Sequence, residues 1–270
     1  MKRRRLIPCA VFSVFLLSCS DGAAQVSTTS IEAIGTTSEV IVVESSSTTQ
    51  VAGSSTSIEV IGSAPEVIAV ESSSTTQVKA RTVSGGNALE VLSGIRVDNE
   101  NQSGYSRSLF NYPKDLDGDG CDTRQEVLMR DSITSPQVYY PNCVVVAGDW
   151  ISSYDGVHWD DPSNIQIDHV VALKEAWDSG AWNWSEDNRT AYANDTTDRR
   201  TLRAVTDRVN QQKGDRDPSN WMPPLKSVWC TYLGDWVAIK ARWDLSMDQS
   251  EFGFIKKVIT RSCPGLTITN

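Results

Sequence analysis

The sequence predicts an α+β domain stabilised by disulfides, and three observations lead there. β-branched runs bounded by turn residues, such as Cys143-Val-Val-Val-Ala147 between Asn142 and Gly148, read as short strands. Apolar residues at helical spacing fill the segment from Trp229 onward. Beyond the N-terminal third lie four cysteines, Cys121, Cys143, Cys230 and Cys263, an even number suited to an oxidising compartment.

The elements follow in order along the 270 residues. Met1-Lys-Arg-Arg-Arg5 and the apolar run Leu6 to Leu17 have the charged and hydrophobic regions of an export signal, and the run is too short to span a membrane. Leu16-Leu17-Ser18-Cys19 resembles the lipobox of bacterial lipoproteins, which implies lipidation of Cys19 and a membrane anchor; ordinary cleavage near Ala23-Ala24 is the alternative. Both place the mature chain outside the cytoplasm, as a cell-surface lipoprotein or a secreted protein. Residues 20–84 are rich in Ser, Thr, Val and Glu, and Thr29-Ser-Ile-Glu-Ala-Ile-Gly35 recurs 27 residues later as Thr56 to Gly62. Two copies make a solvated stalk, not a solenoid. From Gly85 the composition changes and all nine tryptophans lie beyond it, so residues 85–270 are expected to form the folded domain.

Within that domain, Leu109 to Gly120 reads as a loop and Glu126 to Arg130 as a short helix. Ile165 and Ile167 alternate with polar residues, giving a strand that runs into Asp168-His169. Lys174 to Ser179, Asp187 to Ala193 and Ala204 to Gln212 read as helices, the last stopped by Gly214. Trp229, Leu233, Trp236, Ile239, Lys240 and Trp243 form a helical stripe, and Ser246-Met-Asp-Gln249 is a capping-box candidate for a final helix ending near Cys263. Four cysteines allow three pairings; Cys121 with Cys143 and Cys230 with Cys263 are favoured because each closes a local loop. A four-cysteine zinc site competes poorly, since no Cys-x2-Cys pair exists.

The net charge is −9, and beyond residue 82 the chain holds 27 acidic against 19 basic residues. That balance argues against binding nucleic acid through bulk electrostatics. A local basic cluster does occur at Arg199, Arg200, Arg203, Arg208, Lys213 and Arg216.

The chemically specific residues are Asp168-His169 at the end of a strand and Asn210 in a later helix. Carboxylate and amide oxygens suit a hard divalent cation, and a neutral imidazole suits a base. Strand, Asp-His and a helix bearing Asn210-Gln-Gln-Lys-Gly-Asp215 are similar to the ββα-metal motif of HNH (His-Me finger) endonucleases. The span from about Gly104 to Cys263 resembles secreted bacterial HNH proteins related to the nuclease domain of modification-dependent restriction enzymes. The matching pieces include Gly120 to Leu128, Tyr154-Asp-Gly156, Ile167 to Leu173, Tyr192-Ala-Asn-Asp195, Trp221-Met-Pro-Pro224 and Lys240-Ala-Arg-Trp243.

The resemblance implies a ββα-metal core with additional helices. It also implies a phosphodiester hydrolase acting on DNA, with RNA as a further substrate, that uses Mg2+ or Mn2+. Asp168 and Asn210 would be metal ligands and His169 the general base. Arg208 or Lys213 would clamp a phosphate, and Arg124, in a shared segment, would be another phosphate contact. Thr201 stands where the family has its middle Asn, so its hydroxyl would have to orient the His169 ring, with Asn194 the nearest substitute. Thr206 and Val209 stand where many members carry zinc-binding cysteines, so disulfides replace that knuckle. Separately, Asp115, Asp117, Asp119, Gly120 and Glu126 satisfy calcium-loop spacing, although position 8 is Asp122 where an apolar residue is usual. The alternative to a nuclease is a stalked surface binding module built on an inactive HNH fold.

Overall fold

A computed structural model of the chain describes residues 78–269. The expected signal, Cys19 and the repeat lie outside the described residues. The elements are α1 (Ala88–Ser93), α2 (Thr123–Asp131), β1 (Gln137–Tyr139), β2 (Val144–Ala147), β3 (Trp150–Ile151), β4 (His158–Trp159), β5 (Ile165–His169), α3 (Leu173–Asp178), α4 (Glu186–Ala193), β6 (Leu202–Thr206), α5 (Asp207–Lys213), α6 (Trp229–Arg242) and α7 (Gln249–Ser262). The strands form three antiparallel pairs, β1 with β2, β3 with β4 and β5 with β6. This is an α+β domain, and its disulfides join Cys121 to Cys143 and Cys230 to Cys263, the pairing that the local loops favour.

The β5–β6 pair is the frame of the site. Its register sets Ile165 opposite Thr206, Ile167 opposite Ala204, Asp168 opposite Arg203 and His169 opposite Leu202. The segment expected to be helical from Ala204 is thus a strand up to Thr206, and α5 begins only at Asp207. Pairing with β5 overrides the local helical pattern because Val205 and Thr206 are β-branched and the pairing buries them together with Leu202 and Ala204. Ile165, Ile167, Leu202 and Ala204 pack with Val127, Leu128, Val145 and Trp150. From α2, Asp131 accepts the Ala204 amide (3.0 Å) and Arg130 donates to the Leu202 carbonyl, so the outer edge of β6 is capped by side chains.

The larger core gathers α1, α3, α4, α6 and α7. The tryptophan stripe packs there as expected: Leu233, Trp236, Ile239 and Trp243 are all buried. Val78, Ala80 and Val83, upstream of the composition shift at Gly85, pack against the same core. Helix α7 is capped by Asp248, whose carboxylate accepts the Ser250 and Glu251 amides; Ser246, the expected cap, donates to the Ser179 carbonyl instead.

Lys240, fully buried on the stripe, sits between two buried acids. It donates to Glu175 (2.5 Å), Glu251 (3.2 Å) and Ser179 (2.6 Å). Burial first, and the Glu175 charge beside it, push the Glu251 carboxyl up to about 8, against the pull of Lys240. A folded-state value above the ordinary one means that this group favours folding in its protonated form. The stability it contributes is lost as pH rises through about 8. The expected result is an unfolding free energy that declines between about pH 5 and 8, by at most about 1.4 kcal/mol per pH unit, and levels off above that window. Urea titrations at successive pH values check it, and Glu251→Gln should flatten the slope.

Candidate active site

A cleft of about 440 Å³ opens where β5 ends and α5 begins, and Asp168, His169 and Asn210 all line it. The three residues expected to carry chemistry are therefore brought together. Gln166, Asp207, Asp215, Tyr105, Arg107 and Lys174 complete most of the wall.

His169 is buried, and its ring is fixed from behind. Nε2 lies 2.8 Å from the Ala193 carbonyl at the end of α4, and a carbonyl can only accept, so Nε2 carries the proton. That tautomer leaves the lone pair on Nδ1, which has no hydrogen-bond partner among the described residues. Tyr112 packs edge-on against the ring at 4.7 Å between centroids. Burial pushes the imidazole down to about 3, with the charges of Arg107 and Lys213 adding to it and the Ala193 carbonyl opposing, so the ring is neutral at pH 7.

Asp168 is buried beside it and doubly held. Oδ2 accepts from the Tyr154 hydroxyl (2.5 Å) and Oδ1 from the Lys213 ammonium (2.8 Å). Burial pushes this carboxyl up, and Lys213 and Tyr154 pull it back. Tyr154 belongs to one of the segments quoted for the resemblance, yet only the fold reveals it as a partner of Asp168. The Asn210 side chain makes no hydrogen bond among the described residues and borders the cleft.

Several residues sit elsewhere than expected. Lys213 is fully buried and spans Asp168 and the His169 carbonyl (2.8 Å), so it is an internal counter-ion and not a phosphate clamp. The Arg124 guanidinium donates to the Pro162 (3.2 Å) and Ile165 (3.0 Å) carbonyls, where it braces the entry to β5 and does not reach the cleft. Thr201 donates to Asp195 (3.2 Å), which also binds Arg242 and Trp243; the His169 ring is oriented by a backbone carbonyl, and no Thr201 hydroxyl is involved. Asn194 likewise serves structure, holding Lys114 and Thr123. Arg208 is exposed on α5 outside the cleft lining.

Most of the basic cluster is consumed by ion pairs. Arg199 pairs with Asp131, Arg200 with Asp198, Arg203 with Asp235 and Lys213 with Asp168. The residues that sequence reasoning missed are Tyr105 and Arg107, which enter from far upstream, Arg107 at the start of a short 3-10 turn (Arg107–Phe110) and Tyr105 just before it. They carry no motif, and an isolated arginine among aromatics was the sole signal.

Away from the cleft, the Asp115 loop gathers three of its four expected ligands. Oxygens of Asp115, Asp117 and Asp119 lie within 4.8 Å of one another, all exposed. Glu126 stays outside that group. Its carboxyl is raised by burial first and then by the three aspartates, while a bond to Thr196 opposes.

Residues 122–251 match the family model described as the C-terminal domain of GmrSD restriction endonucleases. The chain is also similar to an uncharacterized secreted protein of Arthroderma benhamiae, 44% identical over 169 residues, which covers 62% of this chain and 81% of the relative. That relative is fungal, whereas the sequence resemblance was to bacterial proteins. No solved structure matches. The chain thus belongs to one family with that secreted relative, and its residues 122–251, which hold every residue of the β5–β6–α5 frame, are similar to the C-terminal domain of GmrSD restriction endonucleases.

Proposed function

We propose that this protein is an exported HNH endonuclease, a metal-dependent hydrolase of phosphodiester bonds in DNA. The observation that carries the reading is the His169 ring, neutral, tied back through Nε2 with no hydrogen bond at Nδ1 among the described residues, and lining a cleft that Asp168 and Asn210 also line. The antiparallel β5–β6 pair followed by α5 would supply the two strands and helix of a ββα-metal core, which supports the reading.

The donor set fits a hard divalent cation. Each Asp168 oxygen accepts one hydrogen bond and retains acceptor capacity, and the Asn210 amide is uncommitted. Two protein oxygens suit Mg2+, which keeps most of its waters, and Mn2+ takes the same donors. A cation held there would polarise the phosphoryl group and stabilise the departing oxygen. His169 would accept a proton from water at Nδ1 as that water attacks phosphorus, and a bound phosphodiester would bring the negative charge that raises the basicity of the ring. Tyr154 and Lys213 would hold the Asp168 carboxylate in place throughout.

Calcium is the cation we assign to the Asp115, Asp117 and Asp119 oxygens, apart from the chemistry. The two disulfides and the secreted relative support a location outside the cytoplasm. Lipid attachment at Cys19 belongs to the same proposal. No helix among the described residues is long and apolar enough to cross a membrane.

Plasmid relaxation by the purified protein, in EDTA and with added magnesium, manganese or calcium, tests the reading, with thermal melts in the same buffers reading the Asp115 loop. Cleavage is expected with magnesium or manganese and not in EDTA. Asp168→Ala and Asn210→Ala should each shift the activation curve to higher metal concentration. Unchanged curves would remove both as ligands. A folded protein that cleaves nothing under any metal would point to the binding module.

A further inference from the structure

Arg107 lines two hollows. One is the cleft that holds His169; the other, about 710 Å³, is bordered by Arg107, Ser108, Asn111, Tyr112, Lys114 and Glu186 among others. They share Arg107, and Tyr112 of the second abuts His169 of the first, so the two hollows are neighbours and we take them together as one groove with Lys114 in its far hollow. Neither Arg107 nor Lys114 forms an ion pair among the described residues, and both are exposed. This sets them apart from Arg199, Arg200, Arg203 and Lys213, whose charges are matched by carboxylates. The groove's acids are placed otherwise: Glu186 accepts from Asn111 (2.8 Å), Asp207 from Gln211 (2.8 Å), and Asp168, Asp207 and Asp215 border the cleft alone, not the second hollow.

The arginine is also set relative to the base. Its guanidinium lies 5.8 Å over the Tyr112 ring, and Tyr112 in turn abuts His169. Such a cation–π contact holds the guanidinium at the mouth of the site while leaving its donors free to take a phosphate.

We propose that a nucleic-acid strand lies along this groove, with Arg107 and Lys114 holding backbone phosphates on one side of the bond that His169 serves. The inference rests on the nuclease reading and replaces Arg124 and Lys213 with two cations that sequence patterns do not mark. It also accounts for how an acidic domain engages a polyanion: two unpaired cations act locally where the net field does not help.

Fluorescence anisotropy of a short labelled single-stranded DNA, in EDTA and over a series of salt concentrations, tests it on the full chain. Each phosphate contact on a single strand contributes about 0.7 to the slope of log K against log salt, so Arg107→Ala/Lys114→Ala should weaken binding and reduce the slope by about 1.4. Arg107→Lys/Lys114→Arg should retain the slope. So should Lys257→Ala/Arg261→Ala, which removes the same charge from α7, outside both hollows. The KM for cleavage of that oligonucleotide should follow the same order, with kcat changed less. A wild-type slope in Arg107→Ala/Lys114→Ala, with wild type binding and cleaving, overturns the inference and leaves the nuclease reading standing. Absence of both binding and cleavage in folded wild type overturns the nuclease reading, and the inference with it.

Discussion

Replacing His169 with alanine is expected to lower metal-dependent plasmid relaxation by about 10²–10⁴-fold, the usual contribution of a positioned base. The fold should survive, because the ring makes one hydrogen bond, to the Ala193 carbonyl, and otherwise packs against Tyr112 and Tyr192. His169→Asn is the sharper variant. Its amide can still donate toward Ala193 but offers no base, so it should lose activity to the same degree while keeping its near-UV circular dichroism. Either variant relaxing plasmid at the wild-type rate would remove His169 from the chemistry. Loss of activity together with loss of tertiary signal in His169→Asn would reassign the ring to structure.

The second large effect is on stability. Lys213→Met should destabilise the domain by about 3–5 kcal/mol, the cost of leaving a buried carboxylate without its counter-charge, and lower the melting temperature on the order of 10 °C. Lys213 and Asp168 are both buried, so solvent does little to screen the loss. Methionine preserves most of the stem's packing, which isolates the charge. Adding Asp168→Asn should recover much of the stability, since removing both members of a buried pair costs far less than removing one. Urea unfolding followed by tryptophan fluorescence reads both variants. Equal midpoints for Lys213→Met and wild type would mean that the pair does not stabilise the fold.

Legibility in the sequence tracked how local the determining physics is. β5 could be read because Ile165 and Ile167 alternate with polar residues, and the disulfides because each pair closes a short loop. β6 could not, because Ala204 to Gln212 has helical periodicity and only the partner strand decides otherwise. The same division holds at the site. Asp168, His169 and Asn210 were legible as a spaced motif and converge on one cleft. Arg124, Thr201 and Lys213 sit away from the contacts their type suggests, because their burial and partners are tertiary facts. Arg107 was missed for the converse reason: nothing near it in sequence shows which ring it will lie over. The Asp115 loop satisfies its spacing completely, yet Glu126 stays outside the cluster of the three aspartate oxygens, which spacing alone does not reveal.

β5 and β6 are immediate partners, but residues 170–201 intervene, so their pairing is not a local hairpin. The loop must close before any contact across the pair repays its entropy, a topology that slows folding. The carbonyl that fixes the His169 tautomer lies inside that insertion, at Ala193. The Asp168 partners come from both sides of it, Tyr154 before and Lys213 after. A nascent chain that has emerged only through α4 holds the Asp-His pair but lacks β6, the strand it pairs with, and Lys213, the counter-charge of Asp168. Assembly of the Asp-His site therefore requires the long-range pairing of β5 with β6, and on the proposed reading a partly made or partly unfolded chain would be inert.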